Sequence, residues 1–146
     1  MYRVFIFIAF VFGSGCDPGE FNGELKATGD SFGNWTLKNG NCYSGNREEF
    51  FGLTAHGPEG SRTGLTLVKD QLRGWTAVIQ NPSSCTDSGA CTSLALSKNN
   101  CKIFNADVEY TGTTYNDVRE VEGSLQLKCR LADSTLVGHL RFVDCH

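Results

Sequence analysis

The sequence predicts an all-β fold, an antiparallel β-sandwich or sandwich-like barrel stabilised by disulfides. Three observations predict it. Apolar and polar residues alternate with period two along several stretches, turn-forming groups separate these stretches at intervals of roughly 8–12 residues, and the helical spacing i, i+3, i+4, i+7 is nowhere sustained. At 146 residues the chain holds one domain of ordinary size.

The chain opens with Met1-Tyr2-Arg3, the apolar run 4–12 and the small residues Gly13-Ser14-Gly15. These are the three parts of a secretory leader, so 1–15 is set apart from the fold. The run is about half of the ~20 residues that a helix needs to cross a bilayer. Seven cysteines in so short a chain fit an oxidising compartment. Setting Cys16 aside leaves an even set, Cys42, Cys85, Cys91, Cys101, Cys129 and Cys145, enough for three bridges. Cys85 and Cys91 flank the polar loop Thr86-Asp87-Ser88-Gly89-Ala90 and are expected to pair. The other four allow three pairings, which spacing does not separate.

Ser14-Gly15-Cys16, directly after the apolar run, resembles the lipobox of bacterial lipoproteins. The resemblance implies that Cys16 becomes the lipidated first residue of a mature chain anchored in the cell envelope. It faces the periplasm or the exterior, with inner and outer membrane both open. Gly13 stands where that family prefers Leu or another aliphatic residue. The run from Cys42 to Gly52 and the ending Phe142-Val143-Asp144-Cys145-His146 are similar to small bacterial envelope lipoproteins, which implies no activity.

Residues 16–23 carry Asp17, Pro18 and two glycines and are expected to form a tether, with a single β domain over 24–146. Strands are expected at 35–38, 49–55, 64–68, 74–80, 92–97 and 102–110, with turns at 38–41 and 56–60. The strongest alternation is at 121–131, where Val121, Gly123, Leu125, Leu127, Cys129 and Leu131 share one face. After the turn group 132–135, Leu136, Gly138, Leu140 and Phe142 alternate with His139 and Arg141, which completes a hairpin. A helix over 116–120 would be too short to stand alone.

Composition excludes several functions. Removing Arg3 with the leader takes the formal charge from −3 to −4, and the basic residues are scattered, so nucleic acid is not an expected partner. No HExxH, paired CxxC or EF-hand run is present, so neither a metal nor a cofactor is expected. Nucleophilic catalysis needs a histidine beside Ser or Cys, and the only histidines are His56, His139 and His146, with no Gly-x-Ser-x-Gly elbow. The expected role is therefore a non-enzymatic binding or structural module, held to the membrane by lipid and meeting an envelope protein partner. Tyr43, Arg47 and Phe51 are the candidate contact residues, since aromatics and Arg concentrate at binding hot spots. Gly33-Asn34-Trp35 resembles the Gly-x-Trp of lipocalins, whose Trp closes one barrel end, and keeps a carrier of a small apolar ligand as the alternative. A small hydrolase, or a hydrolase inhibitor using the loop 82–90 as its plug, is the third reading.

Overall fold

The computed structural model describes residues 18–59 and 61–146. The leader, Cys16 and Asp17 lie outside the described residues. The described residues form nine strands, β1 (Gly19–Thr28), β2 (Trp35–Ser44), β3 (Gly52–His56), β4 (Gly64–Asp70), β5 (Gly74–Gln80), β6 (Ser93–Leu96), β7 (Cys101–Tyr115), β8 (Val118–Leu131) and β9 (Ser134–Cys145). Two 3-10 turns, Gly45–Glu48 and Pro82–Ser84, complete the elements. All nine strands belong to one sheet in the order β6-β5-β4-β3-β2-β1-β9-β8-β7, and every neighbouring pair is antiparallel. The all-β, antiparallel, disulfide-stabilised expectation holds, and it is realised as one continuous sheet.

That sheet rolls up without closing, for a reason of parity. A ring in which all neighbours are antiparallel requires an even number of strands. With nine, the two edge strands β6 and β7 run in the same direction. A hydrogen-bonded parallel pair needs a crossover of about a dozen residues, but only residues 97–100 join β6 to β7. The curl itself is demonstrated by Phe51, just before β3, whose ring centroid is 4.9 Å from that of Tyr110 on β7. On a flat sheet β3 and β7 would stand five strand spacings apart, about 24 Å.

With no helix among the described residues to cover it, the apolar face is covered by the sheet itself. Leu25, Leu37, Leu53, Leu65, Leu67, Leu125, Leu127, Leu136, Leu140 and Phe142 form one continuous core. At the lower rim, where β1 gives way to β2, the loop 29–34 folds inward and buries Phe32. It is held there by the Trp35 Nε1–H donating to the Phe32 carbonyl (2.6 Å) and by Ser31 N–H donating to the buried Ser134 Oγ (2.8 Å). At the upper rim Asp144 takes φ 52° and bends the end of β9. Cys42 and Cys145 then lie 5.0 Å apart between Cα atoms, although β2 and β9 are separated by β1. The crossing is made over Gly19, where a Cβ would overlap the backbone of Asp144 and Cys145.

Cys85–Cys91 forms as expected, and the remaining bridges are Cys42–Cys145 and Cys101–Cys129. The strand at 74–80 and the face of 121–131 agree with the sequence, with Val121, Leu125, Leu127 and Cys129 all buried. Three local expectations are corrected, and the segment 116–120 is resolved. Strand β1 begins at Gly19, ahead of the expected domain start at 24, so only Pro18 of the described tether residues is outside it. Residues 38–41 are not a turn but run within β2: Asn39 takes φ 45° opposite a bulge in β1, where Asn22 and Gly23 stand against one residue, and the inward face of β2 moves from Leu37 to Cys42. Residues 49–51 precede β3, because Glu49 is left-handed (φ 63°) and caps the 3-10 turn. Asn116 and Asp117, both at positive φ, form the two-residue turn of the β7–β8 hairpin where a helix had been considered.

Candidate functional site

The inward face changes character towards the upper rim, where alternation replaces leucines with aromatics and cations. On β4 the inward series Leu65, Leu67 continues to Lys69, and on β5 Ala77 and Ile79 are preceded by Trp75. The β4–β5 register sets Lys69 directly opposite Trp75. On β7 the series Phe104, Val108 reaches Tyr110, and on β8 Val121 is preceded by Arg119. Phe51 lies between the two groups, 5.5 Å from Trp75 and 4.9 Å from Tyr110 by ring centroids.

Each cation covers a ring. Arg119 stacks on Tyr110 with Cζ 3.6 Å from its centroid, and Lys69 Nζ lies 5.7 Å from Phe51 and 5.5 Å from Trp75. Arg119 is fixed at its backbone too: its carbonyl accepts from Ser44 Oγ (2.6 Å) and its N–H donates to Asn46 Oδ1 (2.9 Å). The three rings are half-buried and both cations are exposed. Such a mouth offers π faces and two positive charges, the composition that recurs at interface hot spots. It opens beside a groove of about 600 Å³ lined by Glu49, Phe50, Phe51, Lys69, Asp70 and Gln71. Asp70 Oδ1 accepts from the N–H groups of Arg73 and Leu72, and these bonds hold its carboxyl below the usual range.

Phe51→Ala should remove the ring that joins the start of β3 to Trp75 on β5 and to Tyr110 on the edge strand β7, at a cost of about 3 kcal/mol. Urea denaturation would measure it. A loss near zero would mean that the mouth contributes nothing to holding the roll together.

The sequence grouped Tyr43, Arg47 and Phe51 together, and the structure divides them. Arg47 Cζ lies 5.8 Å from the Tyr43 ring, which also packs edge-on to His56 at 6.1 Å, on the outward face of β2. Phe51 belongs to the inward mouth, and it is Phe50 that packs on Gly45. Trp75, Tyr110, Lys69 and Arg119 were not singled out from sequence. The one local signal that could have found any of them is the short connection between the strands expected at 64–68 and 74–80, which the structure makes a hairpin pairing Lys69 with Trp75.

The histidines remain separate. His139 lies on the outward face of β9 opposite Gln126, beside Ser124 and Arg141 in a shallow groove of about 360 Å³ with Asp107, Glu109 and Glu122. His146 Nδ1 contacts the Asp144 carbonyl at 2.7 Å and Glu120 Oε2 at 4.0 Å, while Thr111 Oγ1 donates to Glu120 Oε1 at 2.7 Å. The carboxylate therefore sits between hydroxyl and imidazole, the reverse of the order that activates a nucleophile. Among the described residues no group of three or more His, Cys, Asp or Glu side chains could hold a metal. The loop 85–91 is exposed and internally tied, with Thr86 N–H donating to Ala90 O (2.8 Å) and Gly89 N–H to Thr86 O (2.9 Å). Trp35 sits half-buried at the lower rim, bonded to the Phe32 carbonyl and packed against the core. No family model, curated protein or solved structure matches the chain.

Proposed function

We propose that this chain is an exported envelope protein, anchored through a lipidated Cys16, whose β domain works as a non-enzymatic binding module. The observation that carries the anchor is the cysteine pairing. Cys42, Cys85, Cys91, Cys101, Cys129 and Cys145 are consumed in three bridges, so Cys16 has no cysteine left in this sequence to pair with. It also follows directly on Gly13-Ser14-Gly15, the small residues that close the leader-like segment.

Only Asp17 and Pro18 separate Cys16 from β1, a reach of about 10 Å. Anchoring would therefore hold the upper rim close to the membrane, with Leu72, 96 % exposed at the tip of the β4–β5 hairpin, at that same end. The loop 85–91 would point away from it. The binding role is supported by the exposed aromatic and cationic groups and by a core filled with leucine and phenylalanine, whereas a lipocalin-like carrier needs a cavity lined by apolar residues. Intact mass spectrometry of the membrane-extracted protein tests the anchor. The expected result is an N-terminus at Cys16 carrying acyl chains, with six thiols that alkylate only after reduction. An unmodified Cys16 would sink the anchored reading.

A further inference from the structure

Strand β7 is 15 residues long and bonds to β8 along one side only, and its other side faces the seam where the sheet stops. Unpaired N–H and C=O groups on such an edge form a template for another strand, and proteins ordinarily blunt it with Pro, Lys or a short strand. On the far side of the seam β6 is blunted in that way, being four residues long and followed by Lys98. Strand β7 has no Pro, Lys or Arg from 103 to 115. A groove of about 250 Å³ crosses β7 from Trp75 and Lys98 at the seam, past Asn105 and Asp107, to Gln126 on β8 and His139 on β9.

The side chains of β7 define what would fit. Phe104, Ala106, Val108 and Tyr110 point inward, and Asn105, Asp107 and Glu109 point outward. Glu109 stands opposite Glu122 on β8, so like charges face each other without a cation in that pair. Arg141 of β9 lines the groove on this face together with Asp107, Glu109 and Glu122, and Lys98 lies at the seam.

We propose that the free edge of β7 is the docking site for an extended segment of a partner protein, added antiparallel, with apolar residues facing the core and basic residues facing Asp107 and Glu109. Because β6 and β7 run the same way, such a strand is antiparallel to both edges and makes the count even. A second copy of this chain fits worse, since antiparallel pairing of two β7 edges about Asp107 sets that carboxylate against its own counterpart and Glu109 against Asn105. The inference deepens the binding role and is independent of the lipid anchor.

The test uses the purified, disulfide-intact protein and two synthetic nine-residue peptides, one alternating Val with Lys and one alternating Val with Glu. Hydrogen exchange of the free protein should show alternate amides over 103–110 exchanging fast. The Val/Lys peptide should slow that set and bind about tenfold more tightly than the Val/Glu peptide. The outward pair D107K and E109K, which leaves the inward face intact, should reverse the preference. Absence of binding, protection outside β7, or an unchanged preference in the variant would overturn the proposal, as would self-association that protects β7 without peptide. If the peptide fails while Cys16 proves lipidated, the docking edge falls and the anchored module stands.

Discussion

Replacing Cys42 and Cys145 together with alanine should lower the free energy of unfolding by about 4–5 kcal/mol, the largest effect expected of the three bridges. The two residues are separated by 103 positions, against 28 for Cys101–Cys129 and 6 for Cys85–Cys91. Loop-closure entropy grows with the logarithm of that separation, so the other two are expected to contribute about 3–4 and about 2 kcal/mol. A domain of this size has about 5–15 kcal/mol in total. Both sulfur atoms are buried at the upper rim, so their loss also leaves a void over Gly19. Urea denaturation of the three double variants should rank them in order of loop length. Equal losses would show that closing the long loop is not what Cys42–Cys145 contributes.

The second large effect is expected of Gly52→Ala. Gly52 has φ 145°, and a Cβ there would overlap the carbonyl oxygen of Leu67 on β4. Alanine must therefore both accept a backbone conformation that L residues avoid and push apart two paired strands, at a cost of about 3 kcal/mol or more. The displacement would reach Phe51, the adjacent residue, and through it Trp75 and Tyr110. Gly89→Ala is the matched control: its φ is 85°, but nothing lies within 4 Å of the added methyl, so about 1 kcal/mol is expected. Midpoints at constant m would separate the two. Similar losses would mean that positive φ alone, and not the approach of β4, requires glycine at position 52.

These two sites also mark what sequence can and cannot reveal here. The β8–β9 hairpin and β5 were legible because one face of each is buried and the other wet, so period-two alternation is written directly into the residues. The Cys85–Cys91 pair was legible because its loop is local. Asn39-Gly40 was misread because a residue at positive φ serves a tight turn and a bulge equally well. Only the strands on either side of β2 decide between them. The arm of β7 beyond Tyr110 was missed because Thr111 to Tyr115 is largely solvated and carries no alternation. The aromatic mouth was missed for a different reason. Phe51, Trp75 and Tyr110 are brought together only when the sheet rolls, and no spacing in the sequence encodes the roll. Tyr43 and Arg47, joined by one 3-10 turn, were the part of the candidate patch that local spacing could bring together.

The pairing of β1 with β9 also governs the order in which this fold can be assembled. A chain delivered through a translocon from its N-terminus presents β1 first, but one of that strand's two partners arrives more than a hundred residues later. Until then β1 is the unpaired edge of the meander β1 to β6, in which each strand pairs with the next. Cys42 waits as a free thiol while Cys85 and Cys91 have already met. Under the export proposed above, vectorial delivery would favour an early, wrong disulfide at Cys42, and correct folding would depend on oxidation slow or reversible enough to let β9 arrive.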